Sequence, residues 1–136
     1  MRILFVCTGN TCRSPMAEAL FNAASGVKHF ALSAGIAAFD GIPASENAVL
    51  AMKERGIDLS AHRSRPLTPE LLKGVDRVCC MTPRHAEAIK NAFGEIDTPI
   101  YILKPAIPDP YGGSLEDYRM TADALENAVK DILSEL

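Results

Sequence analysis

Arg2-Ile3-Leu4-Phe5-Val6-Cys7, running straight into Thr8-Gly9-Asn10-Thr11-Cys12-Arg13-Ser14-Pro15, is the stretch that decides the fold. After Arg2, its first residues through Cys7 are apolar and strand-forming and lack the strict alternation of a sheet wetted on one side. That is the pattern of a strand buried on both faces of a parallel sheet. A polar loop turning through Gly9 follows. Ser14 before Pro15 then predicts a helix start, with the serine as cap and the proline at the first helical position, where a missing N–H costs nothing. Met16, Ala19, Leu20 and Ala23 share one face of that helix, and Gly26 is placed to stop it.

Outward from this unit the pattern repeats. His29 to Ser33 predicts a second strand closed by Ala34-Gly35. Ile36 to Pro43, with Phe39, Asp40 and Gly41, reads as an exposed loop, and a helix from about Ser45 to Arg55 ends at Gly56. Thr68-Pro69 opens a short helix, Val75 to Met81 is a third strand, and Thr82-Pro83 begins a helix to about Ala92. Tyr101 to Leu103, with Ile100 as an optional first residue, is a weaker fourth strand. Pro105 to Gly113 is a Pro- and Gly-rich loop, and Ser114 with Asp117 forms a capping box before a last helix to about Leu133. Four alternations of strand and helix predict an α/β fold: a three-layer α/β/α sandwich around a four-stranded parallel sheet, as one domain over residues 1–136. Ligands on such sheets bind beyond the carboxyl ends of the strands, where Cys7 falls.

Composition narrows the function. Fourteen basic against seventeen acidic side chains in 136 residues leave a net charge of -3, which gives no reason to expect nucleic acid as a partner. No apolar run approaches the roughly 20 residues that cross a bilayer. The start is too short for a secretory leader, so the expected location is cytoplasmic, without a membrane partner. Cysteines 7, 12, 79 and 80 are then expected as reduced thiols, and they contain no C-x-x-C pair. His29, His62 and His85 are scattered, so neither a metal nor another cofactor is expected. Cys79 and Cys80 are neighbours in a strand, face opposite sides and read as packing residues. Asp76 reads as a structural hydrogen-bonding group, and His62 with Arg63 and Arg65 as a solvated, mildly positive face. No oligomer interface is legible, and the chain is expected to be a monomer.

The chemistry lies in the first loop. A backbone turning at Gly9 and entering a helix points consecutive N–H groups inward as an anion cradle. Cys7 stands at one end and Arg13 at the other, and the helix N-terminus and guanidinium both favour thiolate over thiol. An oxyanion held by the N–H groups of residues Thr8 to Ser14 and gripped bidentately by Arg13 would present its central atom to sulfur. The reaction class that fits is phosphoryl transfer to Cys7 and hydrolysis of the phosphocysteine. The loop is neither a nucleotide-binding P-loop nor a dinucleotide fingerprint, because G-x-x-x-x-G-K-[S/T] and the three glycines of the latter are missing.

With Val6-Cys7-Thr8-Gly9-Asn10-Thr11-Cys12-Arg13-Ser14-Pro15, Ser33-Ala34-Gly35 and Asp109-Pro110-Tyr111-Gly112-Gly113, the chain resembles the low-molecular-weight protein tyrosine phosphatases over essentially its whole length, although it is somewhat short for them. The resemblance implies that Asp109 protonates the leaving group and later helps to activate water. It implies that Asn10 and Ser14 hold the loop in shape, with Ser14 also donating to the thiolate, and that Ser33 extends the network. It further implies that Cys12 is a redox partner of Cys7, able to form a reversible disulfide that shields the nucleophile.

Thr11 departs from the apolar branched residue usual in tyrosine-directed members and is similar to the residue of bacterial protein-arginine phosphatases. The Asp-Pro-aromatic-Gly-Gly sequence points the same way. Phosphoarginine in proteins is therefore the expected substrate, selected by Thr11 and by aromatic walls at Tyr111 and Phe39, with phosphotyrosine as the alternative. More remote are an arsenate reductase, which would need a spaced cysteine relay that Cys79-Cys80 do not supply, and a non-catalytic anion-binding module.

Overall fold

In the computed structural model, which describes residues 1–136, the opening run forms β1 (Arg2–Cys7) with every residue after Arg2 buried. It is followed by α1 (Arg13–Ser25), β2 (Phe30–Gly35), α2 (Glu46–Lys53), α3 (Pro69–Lys73), β3 (Arg77–Cys80), α4 (Pro83–Phe93), β4 (Ile100–Ile102) and α5 (Leu115–Glu135). The sheet has the order β2-β1-β3-β4 and every pairing is parallel, with Cys7 opposite Gly35 and Val6 opposite Cys80. The chain thus leaves β1 toward one side to make β2 and returns to the other side for β3. Cys7 ends the strand at this reversal, where the two departing connections open a crevice.

Alternation along β1 feeds two cores. Ile3, Phe5 and Cys7 face a cluster with Met16, Leu20 and Phe21 of α1 and Leu125, Val129 and Ile132 of α5. Leu4 and Val6 face the opposite cluster with Leu72 of α3 and Ala86 and Ile89 of α4. Phe5 and Phe21 meet edge to face, their centroids 6.0 Å apart. Cys79 belongs to the first cluster and Cys80 to the second, as expected for strand neighbours. Burial pushes both thiols up to about 12, so they remain inert packing groups.

Some boundaries differ from those predicted. Helix α1 begins at Arg13 with Cys12 as its cap, so Ser14 is not the cap but a residue of the first turn, and its hydroxyl is used elsewhere. Strand β2 starts one residue later than expected and includes Ala34 and Gly35, because these pair with Val6 and Cys7. Strand β3 is shorter than Val75–Met81 since only Arg77 to Cys80 pair with neighbours. Helix α2 ends at Lys53, ahead of the turn through Gly56. The capping box at Ser114 and Asp117 is present, with each residue's side chain accepting the other's backbone N–H. Asp76 accepts the N–H of Arg2 at 2.7 Å, the structural role expected of it. No helix is long and apolar enough to cross a membrane.

Candidate active site

The loop from Thr8 to Cys12 closes in so few residues only because Asn10 adopts φ 57°, the one non-glycine residue of the chain with positive φ. Asn10 is fully buried and its side chain is fully used. Its Oδ1 accepts the N–H of Arg65 at 2.9 Å, which leaves the amide nitrogen to donate to Ser14 Oγ at 2.8 Å and to Ser33 Oγ at 3.0 Å. Ser33 passes its own hydrogen to Glu18 Oε1 at 2.6 Å. Ser14, already accepting from Asn10, has its hydrogen free for Cys7 Sγ at 2.9 Å. A directed chain of donors therefore ends on the sulfur, through Asn10 and Ser14, with Ser33 and Glu18 bracing its start.

Cys7 is 2% exposed. Burial pushes its thiol up from the ordinary value, and the Ser14 hydroxyl, the Ser14 N–H, Arg13 and the Asn10 N–H pull it back in that order without cancelling the rise. This corrects the expectation of a depressed thiol. The lowering partners are those foreseen, but the strand end that carries the sulfur lies deeper than a loop position would.

Arg13, 5% exposed, is held at its tip. Its Nη1 donates to the carbonyl of Ile107 at 3.0 Å, and its Nη2 lies 3.5 Å from Thr8 Oγ1 and 3.7 Å from Asp109 Oδ2. Its Nε is buried with no partner at all. An orphaned guanidinium N–H in a native site calls for an explanation, and a planar oxyanion edge spanning Nε and Nη2 satisfies it.

Asp109 reaches this place through backbone pairing. The N–H groups of Leu103 and Ile107 bond the carbonyls of Cys80 and Met81 at the carboxyl end of β3, so the late loop is laid across the sheet edge beside β1. Asp109 is half exposed, and its Oδ1 accepts the N–H of Tyr111 at 3.0 Å, which tightens the turn. Residues 7–13 together with Asp109 and Tyr111 line one cavity of about 220 Å³. Tyr111 stands 77% exposed at its mouth, and Thr11 is partly exposed on its wall. Phe39 is 80% exposed on the neighbouring loop and is not among the residues lining this cavity. Of the expected residues, Ser14, Ser33 and Phe39 do not line this cavity: Ser14 meets it only through Cys7 Sγ, Ser33 only through Asn10, and Phe39 stands outside on its own loop.

Besides Glu18 and Arg65, four residues were not anticipated at the site: Tyr118, Ser45, His85 and His62. Tyr118 of α5, 3% exposed, places its hydroxyl 3.3 Å from Cys12 Sγ and 3.4 Å from Ser45 Oγ. The sulfur of Cys12 is itself 3.3 Å from Ser45, and no cysteine is disulfide-bonded. His85 of α4 meets Thr8 Oγ1 at 3.0 Å. His62 Nε2 meets the carbonyl of Asn10 at 2.8 Å, which corrects its reading as part of a solvated face: it supports the strained turn. No local pattern marks these contacts, since each bridges elements far apart in sequence. No group of three or more His, Cys, Asp or Glu side chains is assembled that could hold a metal ion.

Comparison with known proteins agrees with this geometry. The profile of the family described as low molecular weight phosphotyrosine protein phosphatase matches residues 2–136. A protein-arginine-phosphatase of Bacillus subtilis (strain 168) is 40% identical over 146 aligned positions, covering 100% of this chain and 97% of the relative. The structure of a low molecular weight protein tyrosine phosphatase from T. tengcongensis superimposes with a TM-score of 0.94 at 44% identity, covering 100% of this chain and 99% of the other. A cysteine-to-serine mutant of YwlE arginine phosphatase, described as having a phosphorylated active-site serine, also superimposes at 0.94, with 40% identity and coverage of 100% and 95%.

Proposed function

The chain belongs to the low molecular weight phosphotyrosine protein phosphatase family, and from that premise we propose that it hydrolyses phosphoarginine in proteins, with Cys7 as nucleophile, Arg13 as phosphoryl clamp and Asp109 as general acid and base. The observation that carries the reading is the unpartnered Nε of buried Arg13 in the same cavity as Cys7 Sγ. The cradle and the N–H edge of Arg13 hold the phosphoryl oxygens. The Cys7 thiol passes its proton to the Asp109 carboxylate across the cavity as the phosphoryl group binds; Sγ then attacks phosphorus as the thiolate, the S–P bond forms as the P–N bond breaks, and Asp109 gives that proton to the departing guanidine nitrogen. In the second half, the Asp109 carboxylate takes a proton from water, the new O–P bond forms and the S–P bond breaks. Phosphate leaves and the sulfur returns as thiolate, still held by Ser14.

The phosphorylated serine of the YwlE mutant supports a covalent intermediate at the matching position, and the Bacillus subtilis relative supports the arginine assignment. Thr11 on the cavity wall and Tyr111 at its mouth are the selecting residues in this reading, the hydroxyl of Thr11 facing the guanidinium. The whole of residues 1–136 acts as one phosphatase domain, a monomer in the cytoplasm whose partners are phosphorylated proteins. Cys12 serves as redox partner to Cys7, released from Tyr118 and Ser45 when peroxide has oxidised the nucleophile.

A second reading, phosphotyrosine as substrate, is favoured by the T. tengcongensis neighbour, described as a tyrosine phosphatase. The deciding experiment compares kcat/KM for a phosphoarginine protein and a phosphotyrosine peptide on one reduced, metal-free preparation. A preference of about a hundredfold for phosphoarginine is the expected result, since a polar group placed against the wrong substrate is worth discrimination of that order. A preference for phosphotyrosine keeps the mechanism and rejects the substrate. Asp109→Asn is expected to slow phosphoenzyme formation by roughly a hundredfold while leaving inhibition by inorganic phosphate unchanged; stopped-flow quench with intact-mass detection of the phosphoenzyme checks it.

A further inference from the structure

Two histidines touch the phosphate-cradling loop from outside. His62 meets a backbone carbonyl, whereas His85 meets a side chain on the cavity wall, the hydroxyl of Thr8. The ring of His85 is 3% exposed and its tautomer is readable from its other nitrogen. The N–H of Thr82, at the cap of α4, points at His85 Nδ1 at 3.2 Å, and the Thr82 hydroxyl, which can donate as well as accept, lies 3.0 Å from the same nitrogen. A peptide N–H only donates, so Nδ1 carries the lone pair and the ring hydrogen sits on Nε2. That hydrogen is directed at Thr8 Oγ1, 3.0 Å away. The guanidinium of Arg13, also a donor only, lies 3.5 Å from the same oxygen. With both lone pairs of Thr8 Oγ1 facing donors, the hydroxyl hydrogen of Thr8 is the one group left to bond, and Thr8 lines the cavity beside Cys7 and Arg13.

We propose that His85 is a positioning residue that turns the Thr8 hydroxyl into a fixed donor to a phosphoryl oxygen in the cradle, an inference that rests on the phosphatase reading of this cavity. Without His85 the hydroxyl rotates freely, and its hydrogen is as readily lost to solvent as aimed at the substrate. Burial first, then Arg13, with Arg84 adding to them and Asp109 opposing, holds the ring's pKa down at about 4, so the neutral tautomer persists at neutral pH. The device acts on the phosphoryl group common to every substrate, whereas Thr11 would act on the leaving group.

The test uses His85→Asn, which keeps an acceptor near the Thr82 N–H but is too short to reach Thr8, His85→Gln, which extends an amide N–H toward the Nε2 position, Thr8→Val, and the double variant H85N/T8V. Steady-state kcat/KM on phosphoarginine and on p-nitrophenyl phosphate is measured with the inhibition constant for vanadate. His85→Asn and Thr8→Val are each expected to lower kcat/KM roughly tenfold on both substrates and to weaken vanadate similarly, the loss of about one hydrogen bond to a charged group. The double variant is expected to lose no more than either single one, and His85→Gln to recover most of the activity. Losses that multiply in the double variant, or a His85→Asn enzyme that is less stable yet equally active, overturn the proposal. A wild-type protein that hydrolyses neither substrate and ignores vanadate overturns the phosphatase reading, and this inference with it.

Discussion

Ser14 shows how one side chain changes role with the position of a helix start. Within the first turn of α1 instead of at its cap, its hydroxyl accepts from Asn10 and donates to Cys7 at 2.9 Å. The bond favours the sulfur anion against the burial that disfavours it. Ser14→Ala is therefore expected to move the Cys7 thiol further up and to lower both kcat/KM and the rate of iodoacetamide alkylation at neutral pH by roughly ten- to a hundredfold, since a hydrogen bond to a charged group is lost. Alkylation followed by mass spectrometry across a pH series reads it, and an unchanged midpoint would sink the assignment. Asn10 carries the complementary burden of fixing backbone shape. Its left-handed conformation is one that Asn tolerates better than most residues, and its buried amide finds a partner for each of its polar atoms.

At the scale of elements, the end of β2 and the loop after β1 are built against each other. A Cβ placed on Gly35 would run into the carbonyl of Thr8, lie 2.8 Å from the Cβ of Ala38 and 3.0 Å from the N–H nitrogen of Asn10. The glycine is there for lack of room, and its neighbour is rigid backbone. Gly35→Ala is expected to destabilise the fold by about 1–3 kcal/mol through overpacking and to cut kcat/KM by a larger factor, because the cradle itself must shift. Urea unfolding set beside kinetics checks this; a variant that loses stability but keeps full activity would refute the coupling. The late loop depends on elements in the same way. Ile107 bonds Met81 through its N–H and Arg13 through its carbonyl, so the placing of Asp109 and the holding of the guanidinium are one arrangement.

For the molecule as a whole, the buried neutral His85 predicts a pH dependence of stability. Its pKa is about 4 in the folded protein against an ordinary value near 6.5, lowered chiefly by burial. Between these values the unfolded chain takes up a proton that the folded one refuses, so the stabilisation is complete above 6.5 and is lost as the pH falls toward 4. Allowing for its polar partners, the loss is about 1–2 kcal/mol. Urea midpoints at pH 7 and pH 4.5 are expected to differ less in His85→Asn than in the wild type; equal differences would remove His85 as the source. The sheet order supplies the larger frame. With β1 central, the cradle, the Asp109 loop and α4 converge on the crevice at its carboxyl end.

Much of this was legible beforehand because its causes are local. The apolar run Ile3–Cys7, the glycine-turned loop and the Ser114–Asp117 box each carry their own periodicity, turn chemistry or cap, and the four alternations of strand and helix imply a parallel sheet. Cys7 and Arg13 were readable for the same reason, being two ends of one short loop, while Asp109 came only with the resemblance of its Asp-Pro motif. What tertiary structure alone decided are the contacts between elements distant along the chain: His85 on Thr8, Tyr118 on Cys12, His62 on Asn10 and Glu18 on Ser33. The same holds for the balance of forces on Cys7, since the helix start and Arg13 can be read from spacing, but the burial that outweighs them exists only once two cores have closed around β1. Spacing encodes direction and reach within an element; desolvation and long-range pairing belong to the packed fold.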